Sequence, residues 1–203
     1  MKKSTKKLKI FVAESVSEKD FYHRRWEGRV IEEIVRLLGS RTIYRIAMTR
    51  KLFAKAVRLA ARNKCDVFHL SCHGDKTGIE LTDGTELSWE ELAEAFQEVD
   101  HMPAALIMSS CVGGNAGIAR AFEKHKRRPD VIFGTEGKDG KELTFSSACI
   151  CWPILYKDLV KRGIGPKVFK GAVDKMNRLT RHQFVYRRWD EEYRRYPRRN
   201  RTH

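Results

Sequence analysis

Two short apolar stretches decide the fold: Asp66-Val67-Phe68-His69-Leu70-Ser71-Cys72, which leads into His73-Gly74-Asp75, and Ala104-Ala105-Leu106-Ile107-Met108-Ser109-Ser110, which leads into Cys111-Val112-Gly113-Gly114. Continuous apolar runs that end at glycine are typical of strands buried on both faces, and the intervening sequence can supply the crossover helix that parallel strands require. The carboxyl ends of neighbouring strands share one edge of an open α/β sheet, where ligands and catalytic groups collect. We therefore predict that the imidazole of His73 and the thiol of Cys111 face one cleft.

The rest of the chain alternates between strand and helix patterns. Further strands are predicted at 7–13, 42–48 and 131–135, and amphipathic helices follow them, as in the segments around 26–38, 52–63 and 115–122. Ser88 and Glu91 form a capping-box pattern that begins another helix, and Asp83-Gly84 predicts a tight hairpin turn before it. This alternation predicts an α/β fold with a doubly wound, mostly parallel sheet and helices on both faces.

Length and composition indicate one domain. The chain has 203 residues with 41% hydrophobic content, which is enough for one α/β core. We assign residues 1–180 to this domain and residues 181–203 to a basic, Arg/Tyr-rich C-terminal extension, because the apolar pattern thins beyond Thr180. No run reaches the ~18 apolar residues of a membrane span, and Lys2 to Lys9 lead into only a short apolar run. We expect a cytoplasmic protein without membrane contact. The five cysteines, an odd count without a disulfide-like framework, lie mostly in or beside apolar patterns, which suits a reducing compartment, so we expect free thiols.

The formal net charge of +15 is concentrated at the two ends of the chain. Residues 1–9 carry five lysines, and residues 178–203 carry nine arginines against three acidic residues. The simplest interpretation is that these ends are solubilising. A basic surface also attracts acidic partners or phosphate backbones, so a possible nucleic-acid contact through the C-terminus stays open.

The two strand ends, the hairpin-like segment 78–88 and the later segment 152–160 together resemble a caspase-like cysteine peptidase of the CHAT type, common in prokaryotes. The resemblance covers about residues 65–180 and rests on Ser71-Cys72-His73-Gly74 followed, 38 residues after His73, by Cys111. It implies a caspase-like fold, a protein substrate, no cofactor, and a role in stress, cell death or antiviral (phage) defence. Because this chain lacks the sensor repeats often fused to such domains, it also implies a separate sensor or adaptor protein.

The residues at the two strand ends suit the chemistry of a thiol protease. Such an enzyme needs a nucleophile, a proton-transfer group and donors for the oxyanion. Cys111 suits the first role and His73 the second, and the resemblance implies an oxyanion hole formed by the backbone N–H groups of Gly74 and Cys111. The loop after the strand at 131–135 should lie on the same edge of the sheet, so Glu136 and Asp139 are candidate substrate-binding carboxylates for a basic residue, although they can equally be solvated loop charges.

Other site types have weaker support in the sequence. His69, Cys72, His73 and Cys111 match no zinc spacing, and His69 and Cys72 should point to opposite faces of their strand, so we expect no metal site. Ser109 and Ser110 lack the Gly-x-Ser-x-Gly elbow of serine hydrolases, and no phosphate-binding glycine loop is present.

Two non-enzymatic functions remain as alternatives. A catalytically silent caspase-like interaction module would need neither His73 nor Cys111. A basic nucleic-acid-binding module would use the C-terminal arginines, interleaved with four aromatic residues for base stacking: Tyr186, Trp189, Tyr193 and Tyr196.

Overall fold

Strands and helices alternate along the chain as the sequence pattern predicts. The computed structural model describes residues 7–137 and 143–199. In chain order the elements are β1 (Lys9–Ser15), α1 (Glu18–Tyr22), α2 (Glu27–Leu37), β2 (Arg41–Ile46), α3 (Arg50–Arg62), β3 (Val67–Gly74), β4 (Gly78–Glu80), β5 (Glu86–Ser88), α4 (Trp89–Ala95), β6 (Ala105–Ser109), α5 (Ala116–Glu123), β7 (Val131–Thr135), α6 (Phe145–Arg162), α7 (Pro166–Leu179) and β8 (Phe184–Arg188).

The main sheet has the strand order β2-β1-β3-β6-β7-β8. The first five strands of this order are parallel, and β8 closes the β7 edge in the antiparallel direction. The small hairpin of β4 and β5 stands off this sheet and pairs with the carboxyl end of β3, with His73 opposite Glu80 and Gly74 opposite Ile79. The predicted mostly parallel, doubly wound fold class is confirmed.

Helices cover both faces of the sheet because side chains alternate along each buried strand. On one face, Phe11, Phe68 and Leu106 pack against α3, α4 and α5. On the opposite face, Val67 and Ile107 pack with α2, α6 and α7. The rings of Phe11 and Phe68 stack with their centroids 5.4 Å apart, so the central strands are joined by aromatic contact as well as by backbone hydrogen bonds.

The predicted helix start at Ser88 and the predicted turn at Gly84 are present in the structure. Ser88 and Glu91 form the reciprocal capping box that begins α4, and the side chain of Asn115 caps α5. Gly84 has a φ of +78°, which glycine adopts without strain, and it closes the turn between β4 and β5.

The C-terminal region differs from the expectation. Residues 184–188, which we assigned to a basic extension, form β8, so the boundary between residues 180 and 181 does not mark the end of the sheet. The strand was missed because its apolar run is only Phe184-Val185-Tyr186 and arginines follow it. One of these, Arg187, is itself buried.

The C-terminal aromatic residues also differ from the expectation of a stacking surface. Tyr186 and Tyr196 are buried, and Trp189 packs against Tyr196 with ring centroids 5.2 Å apart. The guanidinium carbon of Arg128 lies 3.8 Å from the centre of the Trp189 ring, which covers that face. Of the four aromatics, Tyr193 is the exposed one, so the nucleic-acid hypothesis loses most of its expected base-stacking groups.

We predict that Phe184→Ala lowers the free energy of unfolding by about 3–5 kcal/mol, because the Phe184 ring is fully buried against Phe133 and Trp152. Urea denaturation followed by fluorescence and circular dichroism measures the change. Tyr193→Ala is the matched control, since its side chain is 59% exposed. Equal stability of the two variants would contradict the assignment of β8 to the core.

Candidate active site at the carboxyl edge of the sheet

His73 and Cys111 lie at the same level on two neighbouring strands. Ser71 of β3 pairs with Ser109 of β6, and each of the two candidate residues follows two positions later in its chain. Both line a cavity of about 570 Å³ beside the β4–β5 hairpin, and both also line a second cavity of about 370 Å³ beneath α1 and α2. The predicted cleft shared by the imidazole and the thiol is therefore present, with one cavity on each side.

The His73 ring is held by a carboxylate that the sequence analysis did not identify as a site residue. Its Nε2 lies 2.9 Å from Oδ2 of Asp20 on α1, and the Ser17 hydroxyl also donates to this oxygen at 2.7 Å. Burial raises the pKa of Asp20, but the hydrogen bonds from Ser17 and His73 outweigh that effect and hold the pKa below its ordinary value. Because an ionised carboxylate only accepts, this contact requires a hydrogen on Nε2 of His73 and leaves Nδ1 as the nitrogen available for proton transfer.

The loop that carries Cys111 is fixed by close contact with the next strand. A Cβ on Gly134 of β7 would lie 2.7 Å from backbone atoms of Gly113 and Gly114, so no side chain fits between the two segments. From β8, Arg187 Nε donates to the Gly114 carbonyl at 2.9 Å. The position of Cys111 thus depends on β7 and β8 as well as on its own strand.

Gly74, one of the two predicted oxyanion donors, is required by packing against the hairpin. A Cβ there would lie 2.8 Å from the carbonyl oxygen of Gly78 and 3.4 Å from Cβ of Ser110. The close approach of the hairpin backbone therefore explains why residue 74 is a glycine. The roles of the Gly74 and Cys111 N–H groups in an oxyanion hole stay a prediction.

Glu136, one of the two candidate substrate carboxylates, is engaged by arginines of the C-terminal segment. Its Oε1 lies 2.8 Å from Nη2 of Arg187, and its Oε2 lies 3.0 Å from Nη1 of Arg198. A carboxylate that is neutralised on both oxygens is poorly suited to bind a cationic substrate residue. The second candidate, Asp139, lies outside the residues that the structure describes.

Two other cysteines, Cys65 and Cys72, have thiols of low reactivity. Burial raises the pKa of the Cys65 thiol to about 11, and burial raises that of Cys72 further. Both stay protonated at neutral pH and are poor nucleophiles. All five cysteines are free thiols.

The second cavity contains a carboxylate that the sequence analysis did not consider. Glu27, the first residue of α2, is only 6% exposed and lines this cavity together with Ser71, Ser109 and Ser110. Within the described part of the chain, its Oε1 has no hydrogen-bond partner, and His69 Nε2 lies 3.7 Å away. A buried carboxylate oxygen without a donor is costly, so a cationic or donor group from a ligand would stabilise it.

The buried His69 lies next to the Glu27 carboxylate and is held by residues of α6. Its Nδ1 lies 2.8 Å from the hydroxyl of Tyr156 on α6, and its ring contacts Trp152 edge to face. A hydroxyl that donates to Nδ1 leaves the hydrogen on Nε2, the nitrogen that faces Glu27. His69 thus faces α6 while Cys72 packs on the other face of the sheet, so the prediction that the two side chains point to opposite faces is correct.

In ranges 7–137 and 143–199, no three His, Cys, Asp or Glu side chains are arranged to hold a metal ion. Among the helices described there, none combines the length and apolarity needed to cross a membrane.

Comparison with known proteins identifies the fold. No protein-family model matches the sequence, and no curated protein matches it significantly. Solved structures do match: a secreted C11 cysteine protease of Bacteroides thetaiotaomicron, iotapain, has a TM-score of 0.61 at 10% identity, over 90% of this chain and 66% of that one. The Arg-specific cysteine proteinase gingipain R has a TM-score of 0.50 at 11% identity, over 75% of this chain and 37% of that one.

A complex of the Porphyromonas gingivalis RgpB pro- and mature domains has a TM-score of 0.55 at 11% identity, over 84% of this chain and 43% of that one. This chain therefore spans less than two thirds of each of these three structures. At such identities the likeness establishes the caspase-like α/β fold, in agreement with the predicted fold class.

A second buried carboxylate, that of Glu14, should make the stability of the folded protein depend on pH. Glu14 at the end of β1 accepts hydrogen bonds from Gly28 N and the Tyr44 hydroxyl, and burial raises its pKa to about 7. Because the folded state holds this proton and the unfolded state loses it near pH 4.5, stability should fall between pH 4.5 and 7, by on the order of 3 kcal/mol. In Glu14→Gln this fall should be absent.

Urea denaturation at pH 5 and pH 8 measures the difference. Glu33→Gln, which alters an exposed helix carboxylate, should keep the wild-type slope. A Glu14→Gln protein that loses stability with pH as steeply as the wild type would show that Glu14 does not carry this proton.

Proposed function

We propose that the chain is a cysteine endopeptidase of the caspase-like, CHAT type, with Cys111 as nucleophile and His73 as the proton-transfer group. The observation that carries this proposal is the arrangement at the carboxyl edge, where His73 and Cys111 meet between two cavities and Asp20 orients the imidazole. The fold shared with cysteine proteases supports it. A silent interaction module would have no use for a buried carboxylate aimed at His73.

The proposed reaction proceeds through a thioester. The Cys111 sulfur attacks the peptide carbonyl carbon after its proton passes to His73, and the carbonyl oxygen becomes an oxyanion that the N–H groups of Gly74 and Cys111 stabilise. The C–N bond then breaks, and the His73 imidazolium gives its proton to the leaving amine. His73 next removes a proton from water, which attacks the thioester and releases the acid and the thiol.

The resemblance to CHAT peptidases also supplies the biological part of the proposal. We place the protein in a prokaryotic stress, cell-death or phage-defence pathway, in the cytoplasm, under the control of a separate sensor or adaptor protein. The exposed arginines at 188, 194 and 195 form a basic surface suited to an acidic partner protein. Nucleic-acid binding is not part of the proposal because three of the four aromatic residues it would need, Tyr186, Trp189 and Tyr196, are packed in the fold.

For substrate specificity, the second cavity suggests a basic residue before the cut. It adjoins Cys111, and Glu27 offers a carboxylate oxygen that has no donor in the described structure. An arginine or lysine that entered this cavity would place its positive charge beside the Glu27 carboxylate. The name of gingipain R records arginine specificity on the same fold. Glu27 thus takes the role that the sequence analysis gave to Glu136 and Asp139.

The test of the proposed function is cleavage of a positional peptide library, scored by mass spectrometry. Cys111→Ala and His73→Ala should each lower cleavage by roughly 10³-fold or more, because nucleophile and proton-transfer group act as a unit. Asp20→Asn should lower kcat by roughly 10²-fold, because an amide does not fix the imidazole in the same tautomer. Cleavage that persists in Cys111→Ala would rule out the proposed chemistry.

Removal of the charge from Glu27, or from the substrate residue that would pair with it, tests the role of Glu27. For a peptide with arginine before the cut, Glu27→Gln should lower kcat/KM by roughly 100-fold, because it removes one partner of a desolvated charge pair. For the same peptide with citrulline, the neutral isostere of arginine, the variant should cost little. Glu32→Gln on the same helix is the control and should match the wild type with both peptides. An equal loss with both peptides would place Glu27 outside the specificity pocket.

A further inference from the structure

A single hydroxyl holds the peptide that joins Ser110 to Cys111. Thr135, the last residue of β7, is 1% exposed, and its Oγ1 lies 2.9 Å from the Ser110 carbonyl oxygen and 2.7 Å from the Cys111 carbonyl oxygen. The backbone of the same residue also takes part, since the Thr135 carbonyl accepts a hydrogen bond from Gly114 N at 2.7 Å. The one hydrogen of this hydroxyl is therefore shared between the Ser110 and Cys111 carbonyls, while the Thr135 carbonyl holds the Gly114 N–H.

The Ser110 carbonyl and the Cys111 N–H belong to the same peptide group. The peptide group is planar and trans, so the direction of the Ser110 C=O fixes the direction of the Cys111 N–H, which points the opposite way. An oxyanion donor must be aimed within a few tenths of an ångström of the developing charge. A hydrogen bond to the carbonyl also polarises the peptide and makes its N–H a stronger donor.

A threonine is not needed at this position for packing alone. Its neighbours Val131, Ile132 and Phe133 are apolar, and valine has the same shape and the same preference for strands. The path of the loop is also secured without the hydroxyl, because Gly134 contacts Gly113 and Gly114, and Arg187 binds the Gly114 carbonyl. The hydroxyl is thus not needed for the path of the loop, and it can act on the orientation of the two peptide groups that flank Cys111.

We infer that Thr135 is a positioning residue for catalysis: its hydroxyl orients and polarises the Ser110–Cys111 peptide, so that the Cys111 N–H faces the oxyanion. This inference rests on the proposed function, since it requires that Cys111 attacks a carbonyl. Thr135 itself touches neither the substrate nor the sulfur in this account. It acts through the backbone of the residues that do.

The first test compares Thr135→Val with Thr135→Ser in steady-state cleavage. Removal of the hydroxyl should lower kcat by about 10- to 100-fold, somewhat less than loss of a whole oxyanion donor, with KM changed less than about threefold. Serine restores the hydroxyl and should recover most of kcat. Thermal unfolding of both variants shows whether the fold is intact. A purely structural role would lower the melting temperature and would not separate kcat from KM.

The second test uses two reagents that react with the same sulfur. A peptide aldehyde adds the Cys111 thiol across its carbonyl: a C–S bond forms, the C=O π bond breaks, and the former carbonyl oxygen takes the proton and occupies the oxyanion site. Thr135→Val should bind the aldehyde about 10- to 100-fold more weakly, since the adduct resembles the transition state. Iodoacetamide alkylates the sulfur and forms no oxyanion, so its rate should stay within about twofold of wild type.

The outcomes separate the inference from the proposed function. If the wild type cleaves peptides and binds the aldehyde, but Thr135→Val behaves identically, then the role of Thr135 is wrong and the peptidase stands. If aldehyde binding and alkylation fall together in Thr135→Val, then the hydroxyl affects the thiol and the oxyanion inference is wrong. If the wild type neither cleaves peptides nor binds the aldehyde, then the proposed function is wrong, and so is the inference that rests on it.

Discussion

The parallel pairing of β3 with β6 is the constraint on which the site depends. Because Ser71 lies opposite Ser109, the next two residues of each chain bring His73 and Cys111 to the same edge. A slip of one residue would turn each β6 side chain to the opposite face and separate the pair. The register is enforced by burial, since Phe68 and Leu106 fill one core while Val67 and Ile107 fill the other.

A charged residue from the basic C-terminal region lies in the interior of the protein. Arg187 comes from the basic C-terminal region, yet it is buried and joins the Gly114 carbonyl to the Glu136 carboxylate. A buried guanidinium is stable only when it is paired and hydrogen-bonded, and both conditions are met here. The C-terminal segment therefore contributes to the geometry of the loop that carries Cys111.

The sequence predicted the parts that depend on local patterns. Apolar runs identified the buried strands, Ser88 with Glu91 identified a helix start, and strand context placed His73 and Cys111 on one edge. It did not predict the parts that depend on tertiary contact. No spacing connects residue 20 to residue 73, and Glu27 is one of many acidic residues in the first turn of a helix, so neither residue carries a sequence signal for the site. The arginine partners of Glu136, Arg187 and Arg198, come from the C-terminal segment and have no local signal that connects them to residue 136.

The most direct test of covalent catalysis by Cys111 is acid-quench trapping of the acyl-enzyme. The protein would be mixed with a peptide p-nitrophenyl ester that carries arginine before the ester bond, quenched within milliseconds, digested and mapped by mass spectrometry. Our account predicts an acyl group on the peptide that contains Cys111, as a thioester that hydroxylamine removes. Acylation of another residue, or equal labelling of a Cys111→Ala protein, would contradict it.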